Sequence, residues 1–215
     1  MPYIPRHFLR TDPDALHALV REAPLALLVT VVEGQALVSH VPLVLDCEGG
    51  VTRLLGHLAT ANPQARAPDP GTEAVAVFTG PGAYVSPGWY ASRAAHGRVV
   101  PTWNYAAVYA TGELSFLDGH DPAHAVVSVL TDVHESGRSD PWAVGDAPAD
   151  FVEAQLRAVR AFELRVRTLE GKWKMSQNRD AADREGVRRG LAAEPGPAAA
   201  AVLAAMGPTD HGPGG

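Results

Sequence analysis

The sequence predicts a mainly β protein: a small antiparallel barrel, closed or nearly closed, decorated by helices. Three observations lead there. Apolar or alternating segments of strand length follow one another, about six in all, joined by turn signals such as Glu33-Gly34 and Cys47-Glu48-Gly49-Gly50. Strand and helix patterns do not alternate regularly, which argues against a doubly wound parallel sheet. No glycine-rich dinucleotide fingerprint occurs, and Gly80-Pro81-Gly82 reads simply as a turn.

The first helix is marked by Asp12 as cap, Pro13 at the first helical position, an apolar stripe of Leu16, Leu19 and Val20, and a stop at Pro24. An almost continuous apolar run over 25–32 is the first long strand, and 36–45 is its hairpin partner. Residues 51–58 form the third strand. Residues 74–78 form the fourth, entered from a Pro/Gly-rich loop at 68–71. Over 105–117 a long strand puts Leu114 and Phe116 on one face and Glu113 and Ser115 on the other. Asp121-Pro122 starts a helix that ends near His134, with His120 just ahead of it, and another helix spans 149–160. Phe162, Leu164 and Val166 alternate with Glu163, Arg165 and Arg167, the mark of a half-buried strand. A short helix covers 179–189. The globular domain is expected over 1–193, and the Ala/Pro/Gly-rich stretch 194–215 is expected to be a disordered tail with at most a short Ala-rich helix.

A chain of 215 residues buries a full core without a disulfide or metal staple. The single Cys47 excludes an intrachain disulfide and fits a reducing cytoplasm. No apolar run reaches the roughly 18 residues that span a membrane, and no signal-peptide pattern opens the chain. The cytoplasm is the expected location. Eighteen Lys plus Arg against 24 Asp plus Glu leave a net charge of −6, which argues against a strongly basic nucleic-acid binder.

The segment Lys172-Trp173-Lys174-Met175-Ser176-Gln177-Asn178 is the densest in chemistry. In an extended chain Lys172 and Lys174 share a face. Two ammonium groups followed by a hydroxyl and two amides are donors suited to a phosphate and a polar ring edge. The alternative is a solvated edge strand. Ser39-His40-Val41-Pro42 lies in the second strand, Ser39 and Val41 on one side, His40 and Pro42 on the other. The proline points to a sheet edge or an opening. In Gly56-His57-Leu58-Ala59-Thr60-Ala61-Asn62-Pro63 a strand ends and a short helical turn begins, with Thr60 or Asn62 as cap. Free N–H groups at such a turn attract anions. Tyr84 and Trp89 read best as aromatics that close the core or an interface. Trp103 and Asn104 are better ligand candidates: one gives a flat face, the other a donor and an acceptor. His120 and His124 lack a third metal ligand, and no nucleophile elbow or phosphate-binding P-loop occurs.

Several long motifs together carry a resemblance. These are Tyr3-Ile4-Pro5-Arg6-His7-Phe8, Ser39-His40-Val41-Pro42-Leu43, Gly56-His57-Leu58-Ala59 with Asn62-Pro63, and Ala83-Tyr84-Val85-Ser86-Pro87 with Trp89-Tyr90-Ala91-Ser92. To them are added Val99-Val100-Pro101-Thr102-Trp103-Asn104-Tyr105 and Glu170-Gly171-Lys172-Trp173-Lys174 with Ser176-Gln177-Asn178-Arg179. In this order, over 2–191, the chain resembles the PaiB-like family of FMN-binding negative transcriptional regulators, itself similar to the pyridoxamine-phosphate-oxidase type of split barrel. The resemblance implies a six-stranded antiparallel split β-barrel of the FMN-binding type, a homodimer, and FMN at the subunit interface. Carried over by position, Ser39, His40, Val41, Pro42, Gly56, His57, Ala59 and Asn62 fall where split barrels hold the flavin ring edge and phosphate. Trp103, Asn104, Lys172, Lys174, Ser176 and Gln177 would complete the pocket, from the same or the partner subunit. The Arg-rich phosphate clamp of the oxidases has no evident counterpart.

The resemblance implies repression of transcription. The only candidate DNA surface in the sequence is Arg157, Arg160, Arg165 and Arg167, with Arg179, Arg184, Arg188 and Arg189 further on, and no helix-turn-helix arrangement is evident. An FMN-dependent oxidoreductase using NAD(P)H is the other function such a barrel supports, because the flavin carries the chemistry. A barrel that has lost its ligand is the third.

Overall fold

The computed structural model describes residues 2–66 and 71–207. The loop expected at 68–71 therefore lies outside the described residues except for Gly71, and so does the tail beyond Gly207. In chain order the elements are β1 (Leu9–Arg10), α1 (Pro13–Glu22), β2 (Leu25–Val32), β3 (Gln35–Pro42), β4 (Val44–Asp46), β5 (Arg53–Ala59) and β6 (Thr72–Val85). They continue with α2 (Ser92–His96), β7 (Thr102–Leu117), α3 (His120–Glu135), α4 (Ala149–Leu156), β8 (Val159–Lys174), α5 (Ala181–Ala193) and α6 (Pro197–Ala205). Two compact units divide the chain. One holds Asp12–Phe78 and Val108–Leu169; the other holds Pro2–Thr11, Thr79–Ala107 and the described part of Glu170–Gly215.

The strands are hydrogen-bonded in the order β3-β2-β6-β7-β8-β5-β4. The strands at the two ends of this order, β3 and β4, are separated in the chain by Leu43 alone, which is buried. A sheet whose outer strands are so joined must curl round on itself. No ladder joins β3 to β4 or β5, so the barrel stays split. Six strands are long; β1 and β4, of 2 and 3 residues, bring the total to eight. The hairpin partner expected over 36–45 is thus broken at Leu43, where the chain turns the barrel corner.

Alternation places Ala26 and Leu28 of β2, Leu54 and Leu58 of β5, Ala74, Ala76 and Phe78 of β6, Leu114 of β7, and Phe162 and Leu164 of β8 in the interior. Gly56 is registered opposite Phe162. A Cβ there would stand 2.6 Å from Leu43 Cδ2 and 2.9 Å from Phe162 Cζ, so glycine makes room for the ring. The Gln64 side chain is also buried, donating from Nε2 to Leu28 O, Thr30 Oγ1 and Leu37 O at 3.1–3.2 Å. Outside the barrel, Ala123, Val126 and Leu130 of α3 and Leu156 of α4 pack with Ala161, Leu55 and Val44 in a second apolar layer.

Two expectations need correction. Gly80-Pro81-Gly82 is not a turn but lies inside β6. The buried positions shift there from even (Ala74, Ala76, Phe78) to odd (Ala83, Val85), as when one extra residue is inserted in a strand. His120 is the first residue of α3, not the residue ahead of it, bridging Asp121 Oδ1 at 2.9 Å and Glu153 Oε1 at 2.8 Å. Within the expected tail, Pro197–Ala205 is the short Ala-rich helix that the sequence allows, burying Ala199 and Val202 and packing on α5.

Candidate functional site

The predicted site residues fall into two groups, one in each unit. In the first unit, β3 is an edge strand, paired only with β2, which accommodates Pro42. Val41 is buried, Ser39 is half-buried, and His40 is exposed on the opposite face. Asn62 Nδ2 donates to Ser39 Oγ at 2.9 Å, and Asn62 Oδ1 accepts from Gln64 N at 2.9 Å to cap the 3-10 turn Pro63–Arg66. The structure therefore brings Ser39 and Asn62 together. Ala59, the last residue of β5, is exposed and its carbonyl accepts from Asn62 N at 2.9 Å. Gly56 faces the interior. His57 faces the opposite side of β5, toward α3 and α4, with its Nδ1 buried and without a partner. Burial pulls its pKa down, so the ring is neutral at physiological pH.

In the second unit the other group converges. Lys172 and Lys174 are the closing residues of β8, as the alternation requires. Lys172 Nζ donates to Tyr3 O at 2.9 Å and lies 5.5 Å from the ring centres of both Tyr3 and Tyr105. Lys174 Nζ donates to Thr102 Oγ1 at 2.5 Å and to Trp103 O at 2.6 Å. No carboxylate lies within ion-pair distance of either ammonium among the described residues. Burial, then the charges of Lys172 and Arg179, push the Lys174 pKa below the usual lysine range. An ammonium has three donors, so one on Lys174 and two on Lys172 remain free.

Beside them Ser176 is buried with φ +60°, a left-handed conformation that side chains other than glycine rarely adopt. Its hydroxyl donates to Asn104 Oδ1 at 3.1 Å, and the Asn104 Nδ2, fully buried, has no partner. Gln177 is committed to the turn: its Nε2 donates to Trp173 O at 2.5 Å and its Oε1 accepts from Met175 N at 2.6 Å. Trp103 is 58% exposed and meets Tyr84 edge to face at 6.2 Å. Trp89, by contrast, is packed against α5: a Cβ on Gly186 would overlap its carbonyl oxygen and one on Gly190 its ring.

Sequence reasoning missed Tyr3, Arg10 and Phe8 as neighbours of this group. The two-residue strand β1 pairs Leu9 with Lys172 and Arg10 with Gly171, placing Arg10 over Trp173 at 5.9 Å and Phe8 5.9 Å from Lys174. A two-residue strand has no periodicity to detect. It also missed Asp183, which accepts from Ser92 N at 2.9 Å and from Ser92 Oγ at 2.8 Å; Arg179, which the sequence offers as part of a basic surface, lies 4.7 Å over Tyr90. Of the arginines considered for DNA, Arg160 is bound to Asp118 (2.8 and 3.1 Å) and to Ala65 O at 2.7 Å while stacking 3.9 Å over Phe116. Arg167 pairs with Glu73 at 2.9 Å.

A mainly antiparallel barrel, split at one seam and helix-covered, defines the class of flavin-binding split barrels. The chain belongs to the family described as "Putative FMN-binding domain", whose model matches residues 2–168. It is 29% identical over 195 residues to "Protease synthase and sporulation protein PAI 2" of Bacillus subtilis, with 91% of each chain covered. It is 32% identical over 212 residues to an uncharacterised protein of Emericella nidulans, covering 82% of this chain and 84% of the relative. Among solved structures it is similar to the FAD and heme binding protein from Mycobacterium smegmatis (TM-score 0.59, 20% identity, 83% of this chain and 78% of that one). The flavocytochrome Anf3 from Azotobacter vinelandii is similar too, with a TM-score of 0.56, 16% identity, and 80% and 72% covered. These structures establish the fold. No helix among the described residues is long and apolar enough to cross a membrane.

Proposed function

We propose that this protein binds FMN as a homodimer and acts as a negative regulator of transcription, the role that the resemblance of its motifs to the PaiB-like family implies. The observation that carries the cofactor assignment is the Lys172–Lys174 pair: two ammonium groups with free donors, no carboxylate partner, and an unpartnered Asn104 amide beside Ser176. This donor set fits a phosphate monoester, which carries about −1.5 to −2 charge near neutrality. Lys172 and Lys174 hold the phosphate, the Asn104 amide and Ser176 hydroxyl meet a polar edge, and Trp103 offers a face to the ring. Gln177 supports the turn that positions them. In the first unit, Ser39, His40, Val41, Pro42, Gly56, His57, Ala59 and Asn62 are the residues that the family resemblance assigns to flavin binding. When bound, FMN supplies hydride transfer; the chain supplies the pocket.

The homodimer reading is supported by an uncovered apolar sheet face. Leu25 and Val31 of β2 are each 61% exposed and Val38 of β3 is 55% exposed, all on one side of the hairpin. The exposed Cys47, without a disulfide partner, suits a reducing compartment, and the cytoplasm is the proposed location.

One observation favours an FMN-dependent oxidoreductase as a second reading. Of the eight arginines considered for DNA, Arg160 and Arg167 pair closely with Asp118 and Glu73, and Arg165 and Arg189 face Glu163 and Glu185 at 3.9 and 4.0 Å, which reduces the basic surface open to DNA. The test begins with an absorbance spectrum of the purified protein and a titration with FMN. A saturable flavin complex is expected, and its absence at micromolar FMN sinks the cofactor assignment. Salt-dependent binding of promoter DNA by the flavin complex then supports regulation. Flavin-dependent consumption of NAD(P)H without DNA binding supports the enzyme.

A further inference from the structure

In the second unit a cavity of about 230 Å³ opens between the end of β6, the start of β7 and the junction of α5 with α6. Three aromatic side chains, Tyr84, Trp89 and Trp103, line it together with Leu191, Glu194 and Ala198, among others. Tyr84 and Trp103 meet at 6.2 Å with their ring planes 71° apart, so they form two walls of a corner. Both stand exposed, Tyr84 by 47% and Trp103 by 58%. Trp89 is held from behind by α5, because a Cβ on Gly190 would stand 2.1 Å from its Cδ2. The charge of the pocket is negative. Glu194 is the ionised residue among its described lining, and it makes no ion pair with any described residue. It follows directly on α5, whose last carbonyls place the negative end of the helix dipole at the same spot. No Lys or Arg lines the space; Lys174, whose ammonium donates to Trp103 O at 2.6 Å, is not among the lining residues.

We propose that this pocket binds a small quaternary ammonium cation, its alkyl groups against Tyr84, Trp89 and Trp103 and its charge balanced by Glu194. Ring faces are negative, and they attract a cation held within about 6 Å of the centroid. A carboxylate beside those faces repels an anion and gives a neutral ligand nothing to neutralise. A metal ion does not fit, because such ions need several oxygen, nitrogen or sulfur ligands, and no group of three or more His, Cys, Asp or Glu stands together among the described residues. A quaternary nitrogen carries no N–H to satisfy, which matches walls made of rings rather than acceptors. Size agrees, since a cavity of about 150 Å³ already takes benzene. The pocket shares Trp103 with the proposed flavin site, but the proposal goes beyond flavin binding and does not depend on it.

The experiment is a calorimetric titration of the full-length protein, with and without saturating FMN, by choline and by neohexyl alcohol, in which a carbon atom replaces the nitrogen. Saturable one-to-one binding of choline, about tenfold or more tighter than the alcohol, is expected, and saturating FMN leaves it unchanged. Glu194→Gln, at an exposed position, removes the carboxylate charge and narrows the preference for choline about threefold or more. Tyr84→Leu removes a ring face and narrows it as well; circular dichroism checks that both variants fold. No saturable binding of choline, equal affinity for the two probes, or a preference unchanged in both variants overturns the proposal. Competition between FMN and choline also overturns it, by assigning the pocket to the flavin ring. Failure of FMN to bind at all leaves the choline result intact and bears only on the cofactor assignment.

Discussion

The Ser176 hydroxyl donates to Asn104 Oδ1 at 3.1 Å across 72 positions of sequence, and neither side chain reaches solvent. To make this bond Ser176 holds a left-handed backbone at φ +60°. Left-handed backbone costs a residue with a Cβ roughly 1–2 kcal/mol, and such strain persists where surrounding structure over-determines it, often at ligand sites. Ser176→Gly and Ser176→Ala both lose the hydroxyl, but only alanine keeps the strain. Alanine is expected to be less stable than glycine by about 1 kcal/mol in urea unfolding. Equal stabilities of the two variants would mean that Ser176 is not strained.

Lys172 and Lys174 are assigned to the phosphate, so their removal must discriminate FMN from riboflavin, which lacks that group. Lys172→Met and Lys174→Met are each expected to weaken FMN about tenfold or more, as for a lost charge-assisted hydrogen bond. Riboflavin affinity stays within about twofold in both variants, within the small effects expected where no contact is lost. A parallel loss for both ligands would move the phosphate elsewhere.

The depressed pKa of Lys174 gives this site a pH signature. Its ammonium loses its proton at a lower pH in the folded protein than in the unfolded chain. Between those two values the unfolded state holds more protons, so this lysine makes stability rise with pH. Phosphate binding needs the ammonium, so FMN affinity falls as pH rises through the depressed pKa, before an ordinary lysine would titrate. Fluorescence titrations from neutral to alkaline pH measure this, and in Lys174→Met the alkaline decline is expected to shrink.

Asp183 also has a lowered pKa, so it too makes stability rise with pH, but over the acid range. Burial pushes its carboxyl up, but the hydrogen bonds from Ser92 N and Oγ and the charge of Arg179 outweigh burial and leave it below the usual carboxylate range. Its stabilisation is present above the pKa of an unfolded aspartate and is lost as pH falls through the depressed folded value. Asp183→Asn is expected to cost about 1.5–3 kcal/mol at neutral pH and to flatten the acid side of the stability profile. A profile as steep as the parent's would assign the acid sensitivity to other carboxylates.

Much of the barrel is legible because burial imposes period-two alternation. β2 runs over Leu25–Val32, as its apolar run predicts, and the two lysines of β8 share a face. The pattern fails where burial changes phase, as at Gly80-Pro81-Gly82, or where an element is too short to have a period, as with β1. The site is half legible for a different reason. Residue types reveal donors such as Lys172 and Lys174, but their partners include the backbone carbonyls of Tyr3 and Trp103, which every residue carries. His57 shows the limit: the sequence marks it as a candidate, and only the placement of α3 and α4 shows it facing an apolar cavity.

The uncovered hairpin face makes the last prediction. Leu25, Val31 and Val38 stand exposed on the first and second strands of the sheet order, and Val38 lies opposite Val29 in the ladder. Burying such a face against a second copy removes about 800 Å² per partner in a standard interface. Val38→Lys places a charge there at little cost to an isolated protomer, since exposed substitutions change stability by about 0.5 kcal/mol or less. In analytical ultracentrifugation the parent is expected to sediment as a dimer and Val38→Lys as a monomer. A parent that is already monomeric at micromolar concentration defeats the homodimer. A variant that remains dimeric places the interface on another surface, because a lysine ammonium buried without a carboxylate partner would not be tolerated at this one.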